Sequence, residues 1–137
     1  MKILIIGILV ITMFVNVYGI DSEEIKVEEL VKSTTSWDGS ELPNYPQIKP
    51  EITILKITVP AGAELPMHQH PVINAGVLLE GELTVHTKAG KTLILKAGNP
   101  IVEVVNTWHF GKNEGEEPAV IIVFYAGEEG KEITVKE

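Results

Sequence analysis

The sequence predicts an all-β domain, a sandwich or barrel built from eight or more short strands. Three observations carry this expectation. From Glu51 onward, apolar residues recur with a period of two, the spacing that sends alternate side chains to one face of a strand. Turn-forming residues interrupt these runs at intervals of roughly ten residues, the rhythm of sandwiches and barrels: Pro60-Ala61-Gly62, Pro71, Gly81, Ala89-Gly90, Ala97-Gly98-Asn99-Pro100, Gly111 and Gly115. Past residue 20, no window beyond Glu23–Lys32 sustains the 3.6-residue apolar period of a helix.

In chain order, Met1-Lys2 gives a short positive start, and Ile3 to Val15 follows without a charge. That run is too short to span a bilayer comfortably. Val17 and Gly19 stand where a signal peptidase would cut, and Asp21-Ser22-Glu23-Glu24 opens an acidic stretch. Residues 1–19 therefore read as a secretory signal peptide, with an uncleaved anchor as the alternative. The expected location is outside the cytoplasm, in the periplasm or the extracellular space. Residues 20–50 read as an extension of loops with one strand near 25–35, since Pro43, Pro46 and Pro50 fix extended backbone. Residues 51–137 form the predicted β-domain. Thr53, Leu55, Ile57 and Val59 share one face of its first strand, and further runs fall at 64–70, 75–80, 82–88, 91–96, 101–105, 107–112 and 119–125. Val120 to Tyr125 is apolar on both faces and predicts a central strand, or one covered by a partner chain.

Composition closes off several functions. The chain has 137 residues, enough for one domain. Its formal charge is -8, and all 11 basic residues are lysine. Without arginine or a basic patch, nucleic acid is not expected as a partner. The absence of cysteine removes disulfides, thiol catalysis and thiolate-bound metals.

Histidine is the informative residue type. His68 and His70 stand two apart on a predicted strand, so both rings leave one face and can share a metal. His109, on another strand, can be brought opposite them. Three neutral imidazoles with open positions suit Fe, Mn, Zn, Ni or Cu. By alternation, His86 points with Glu82 and Thr84 toward solvent, away from Leu83, Val85 and Thr87. Glu80 and Glu103, the acids nearest the histidines, are expected on solvated strand faces. Trp108 is expected to face away from His109 as filler, Trp37 and Tyr45 to bury a loop, and Glu114–Glu117 to form a solvated turn.

Two linked segments resemble the paired motifs of the cupin superfamily. The first reads Gly62, five residues, His68, Gln69, His70, three residues, Asn74, six residues, Gly81. The second reads Gly98, five residues, Val104, Val105, Asn106, two residues, His109, three residues, Asn113. The surroundings look like a subgroup of small, exported, single-domain cupins. This resemblance implies a jelly-roll β-barrel (a double-stranded β-helix) with one divalent transition metal inside, held by His68, His70 and His109. It also implies homodimers, an expectation that apolar residues on both faces of 52–58 and 120–125 support.

Three positions depart from the motifs. Asn74 replaces a glutamate and brings no charge, so it is at most a weak fourth ligand or an orienting group. A metal there would keep its full charge and favour an anionic ligand. Val104 and Asn106 replace proline and glycine; asparagine tolerates the left-handed backbone that glycine would supply. The expected function is a metal-binding barrel with a small-molecule pocket. As an enzyme, dioxygenase-type oxidation is set ahead of isomerase or lyase chemistry, with no convincing protein base beside the metal. The alternatives are a non-catalytic small-molecule or sugar-binding cupin and a structural, metal-stabilised dimer.

Overall fold

The computed structural model describes residues 25–137. The proposed signal peptide, residues 1–19, lies outside them. Among the described residues there is no helix, and so none able to cross a membrane. Nine strands form: β1 (Pro50–Val59), β2 (His68–Gln69), β3 (Ile73–Glu80), β4 (Glu82–Thr87), β5 (Thr92–Lys96), β6 (Pro100–Val102), β7 (His109–Lys112), β8 (Ala119–Glu128) and β9 (Val135–Lys136). They make two antiparallel sheets, ordered β1-β8-β3-β6 and β5-β4-β7-β2-β9, which together are the jelly-roll barrel.

The period-two runs decide which side chains enter the barrel. In β3 the buried positions are Asn74, Gly76 and Leu78; in β4 they include Leu83, Val85 and Thr87. Val59, Leu78, Leu95 and Ile101 are among the most deeply buried residues of the core. The doubly apolar β8 is central, between β1 and β3, as its composition requires. Pro100, which cannot donate to a ladder, opens the edge strand β6. Fully buried Asn113 ties the β7–β8 turn to β1: its amide donates to Val59 O (3.0 Å) and Glu117 O (2.8 Å), and its Oδ1 accepts from Gly115 N (3.0 Å).

The structure corrects the sequence reading in three places. No strand forms near 25–35; residues 25–33 carry no regular structure, and only a single bridge joins Thr35 to Glu41. The run at 64–70 shrinks to His68–Gln69, because Pro66 interrupts it, with single bridges at Glu64 and His70. The short β9 was not anticipated; its two residues pair with β2 rather than with a chain neighbour.

Two turns show the backbone constraint most directly. Asn106 is the one non-glycine residue with positive φ (52°) among the described residues, as expected for the residue in the motif's glycine position. Gly81 joins β3 to β4 at φ 73°, and a Cβ there would lie 2.6 Å from Pro118 O. Gly81→Ala is therefore expected to cost about 2–4 kcal/mol, combining strain with a backbone clash. Gly90→Ala, at φ 89° but with open space around it, should cost about 1 kcal/mol. Thermal unfolding of the two variants reads the difference.

Candidate metal centre

The barrel brings His68, His70 and His109 together, although they come from different parts of the chain. β2 pairs with β7 so that His68 lies directly opposite His109. His70 follows at the end of the same short segment, bridged to Val105. The ring centroids lie 4.4 to 5.0 Å apart, and one ligand nitrogen from each ring falls within 4.8 Å of the others.

Hydrogen bonds fix which nitrogen that is. Backbone carbonyls accept from the Nδ1 of all three rings: Pro66 O at 2.7 Å from His68, Ile133 O at 2.8 Å from His70, and Thr107 O at 2.8 Å from His109. A carbonyl can only accept, so Nδ1 carries the proton in each ring and Nε2 keeps its lone pair. His109 Nε2 is buried without a partner. Burial, which penalises the charged form, lowers all three histidine pKa values, that of His70 to about 4. At neutral pH the trio is thus three uncharged rings whose Nε2 lone pairs converge, a donor set that fits a divalent transition ion.

Asn74 is almost fully buried on the inward face of β3. Its amide donates to Val72 O (3.2 Å) while its Oδ1 has no partner. It does not line the cavity at the trio. That cavity has a volume of about 260 Å³; Leu55, Val59, Leu83, Ile121 and Val123 make its apolar side, and Tyr125, Thr134 and Lys136 its polar side.

Glu103 overturns its expected place on a solvated face. It is 8% exposed, lines the cavity, and has Oε2 3.8 Å from His109 Nε2. Burial pushes its carboxyl up to about 7, and His68, the Val104 N–H and the nearby Trp37 indole N–H oppose this only in part. The indole lies outside hydrogen-bonding geometry. One signal was available: Glu103 lies within an apolar run, between Ile101-Val102 and Val104-Val105. A carboxyl able to carry a proton does stand beside the histidines, where the sequence reading had found no base. Glu80 is exposed, as expected.

The remaining residues fall outside the site. His86 leaves the face opposite Leu83 and Val85 but is half-covered, stacking on Phe110 (5.0 Å) and pairing with Thr92 Oγ1 (2.9 Å). Thr84, expected beside it in solvent, is buried. Trp108 is partly buried, Trp37 packs on the core, and Tyr45 is exposed rather than covering a loop. Tyr125, Thr134 and Lys136 carry no sequence signal for the site, since only long-range pairing brings them to it.

A family model for the cupin domain matches residues 55–125, just over half of the chain. The chain belongs to the cupin domain family. No curated protein matches it in sequence. Among solved structures, this cupin is similar to an uncharacterised conserved protein with a double-stranded β-helix domain from Klebsiella pneumoniae. They share 20% identity at a TM-score of 0.55, covering 80% of this chain and 97% of that one. It is similar to the DMSP lyase DddQ from Ruegeria pomeroyi (19% identity, TM-score 0.55, 72% and 46% covered). It is also similar to an oxalate decarboxylase from Lactobacillus farciminis (19%, 0.54, 62% and 26%). The chain thus spans under half the length of that lyase, 44% of a further DMSP lyase chain, and about a quarter of the decarboxylase. At these identities the likeness is one of fold.

The site's charges make metal-free stability depend on pH with opposing signs. His70 titrates near 6.5 unfolded and about 4 folded, so its contribution falls as pH drops from 6.5 to 4. Glu103 titrates near 4.5 unfolded and about 7 folded, so its contribution falls as pH rises from 4.5 to 7. Glu103→Gln should leave stability near pH 4.5 unchanged. Above pH 7 it should raise it by about 3–4 kcal/mol, from 1.4 kcal/mol per pKa unit. Urea unfolding of chelator-treated protein across this range checks both signs.

Proposed function

We propose that the protein is an exported, metal-dependent cupin enzyme acting on a small anionic molecule. One observation carries this reading: three neutral Nε2 lone pairs converge on the wall of a cavity of about 260 Å³. His68, His70 and His109 would hold the ion, with Asn74 as a weak fourth ligand or orienting group. A divalent transition ion bound there supplies a Lewis-acid centre, and iron in particular supplies dioxygen chemistry. The apolar walls exclude water and limit the ligand to a compact molecule. Lys136, close enough to His68 for its charge to lower that ring's pKa, gives the ligand's negative end a second cation. Solved structures named as a DMSP lyase and an oxalate decarboxylase support small-molecule chemistry on this fold by analogy. Dioxygenase-type oxidation is the first reaction class and isomerase or lyase chemistry the second.

A binding module is the second reading. It is favoured by a cavity wall that offers one carboxyl, Glu103, and no serine or cysteine nucleophile. Metal analysis separates the cases. Untagged protein should carry close to one transition metal per chain, lost in both His68→Ala and His109→Ala. Iron with substrate-dependent oxygen uptake supports oxidation. Zinc, manganese or nickel moves the chemistry to the non-redox class. No metal after reconstitution sinks the proposal.

We also propose export with removal of residues 1–19 and pairing of two copies through the outer face of β1 and β8. Ile52 (64% exposed), Ile54 (58%) and Phe124 (50%) leave an apolar patch on that face. A long apolar edge strand such as β1 is a pairing hazard unless covered. Intact mass should show a chain beginning at Ile20, and sedimentation a particle of twice that mass. Ile54→Glu should yield the monomer.

A further inference from the structure

We infer that Glu103 is the acidic partner of the metal centre, supplying from the segment after β6 the carboxylate that position 74 lacks. The inference rests on reading the three histidines as a metal centre.

The geometry at Glu103 is unusual for a structural residue. Its Oε2 is buried without a hydrogen-bond partner and faces His109 Nε2, which is also buried and unpartnered, at 3.8 Å. His109 Nδ1 already holds that ring's proton against Thr107 O, so two acceptors oppose each other, too far apart for a hydrogen bond. A buried carboxylate facing a lone pair is costly unless it takes up a proton or a cation stands between them, and at 3.8 Å a proton on Glu103 does not bridge the pair. Among the described residues, Glu103 makes no ion pair with any lysine. Donors on one transition ion, each about 2.0–2.2 Å from it, are separated by distances of this order. The carboxylate lies outside the set of ligand atoms within 4.8 Å of one another, so it stands on the cavity wall beside the trio and would serve an ion there as an adjunct to the three rings.

The backbone explains how the carboxylate reaches this place. β3 and β6 pair at Ala75↔Val102, and the next residues continue across the same gap, with Glu103 N donating to Asn74 O (3.0 Å). Positions 74 and 103 are therefore neighbours across two strands, and both side chains are buried. A glutamate moved from one to the other still enters the barrel beside the histidines. The segment before the barrel pins it there. Ser36 Oγ donates to Glu103 O (2.8 Å), and Trp37 N donates to Val102 O (2.9 Å). Ser36 and Trp37 are thus positioning residues.

Metal affinity tests the inference without reference to turnover. The metal-free full chain is titrated with zinc by calorimetry, beside Glu103→Gln, Glu103→Met and Glu80→Gln. Removing a carboxylate that serves a bound metal costs 10–100-fold in affinity. Glu103→Gln and Glu103→Met should both bind one zinc in that weakened range, and Glu80→Gln, which removes an exposed acid, should stay within twofold of wild type. Glu103 variants within threefold of wild type overturn the inference, as does an equal loss in Glu80→Gln, which would mark a general charge effect. His68→Ala separates the two levels. If wild type binds zinc, His68→Ala does not, and Glu103→Gln binds as wild type, the metal centre stands and only the role of Glu103 falls. If wild type binds no zinc, both fall.

Discussion

A neutral imidazole has one proton to donate, and in this barrel three imidazoles direct it to backbone carbonyls. Pro66, Ile133 and Thr107 each accept from an Nδ1. This sets the tautomer of every ring, turns each Nε2 inward, and holds the rings against rotation. Burial then keeps the rings uncharged. The chemistry of the site is fixed by main-chain atoms, which side-chain substitutions elsewhere reach only by moving the backbone.

Those carbonyls lie just outside the strands, Pro66 before β2, Thr107 before β7 and Ile133 before β9. β2 and β9 are two residues long, far shorter than a strand needs to be stable by itself. They persist because β2 is held between β7 on one side and β9 on the other. The opposite sheet bears the larger burden of stability, with β1 and β8 paired over ten residues and β8 packed centrally. The molecule thus has a firm wall of long strands and a lighter wall of short ones that carries the histidines. Glu103 sits where the firm sheet's edge turns toward the lighter one, and Ser36 and Trp37 close over it.

Much of this was legible in the sequence because it rests on local periodicity. The alternation in β1 and β4 names the inward faces, and β8, apolar on both faces, reads as central. The His68/His70 spacing places two rings together, and the left-handed preference of asparagine accounts for Asn106. The errors arise where periodicity stops deciding. Residues 25–35 have apolar side chains in the right order, yet no neighbouring strand pairs with them. Glu103 carries a charge that argues for solvent, but its backbone is held by Asn74 on one side and by Ser36 on the other, and this tertiary wall prevails over residue type. The acceptors at Ile133 and Thr107 are backbone carbonyls, which every residue possesses, so no sequence pattern could single them out.

The carbonyl that holds His70 comes from Ile133, sixty-three residues further along the chain. The tautomer of that ring is therefore set by a contact that joins distant parts of the sequence, whereas His68 and His109 take theirs from carbonyls two residues away. A truncation or shift of the last few residues would thus reach one ring of the trio and leave the proton-holding contacts of the other two in place.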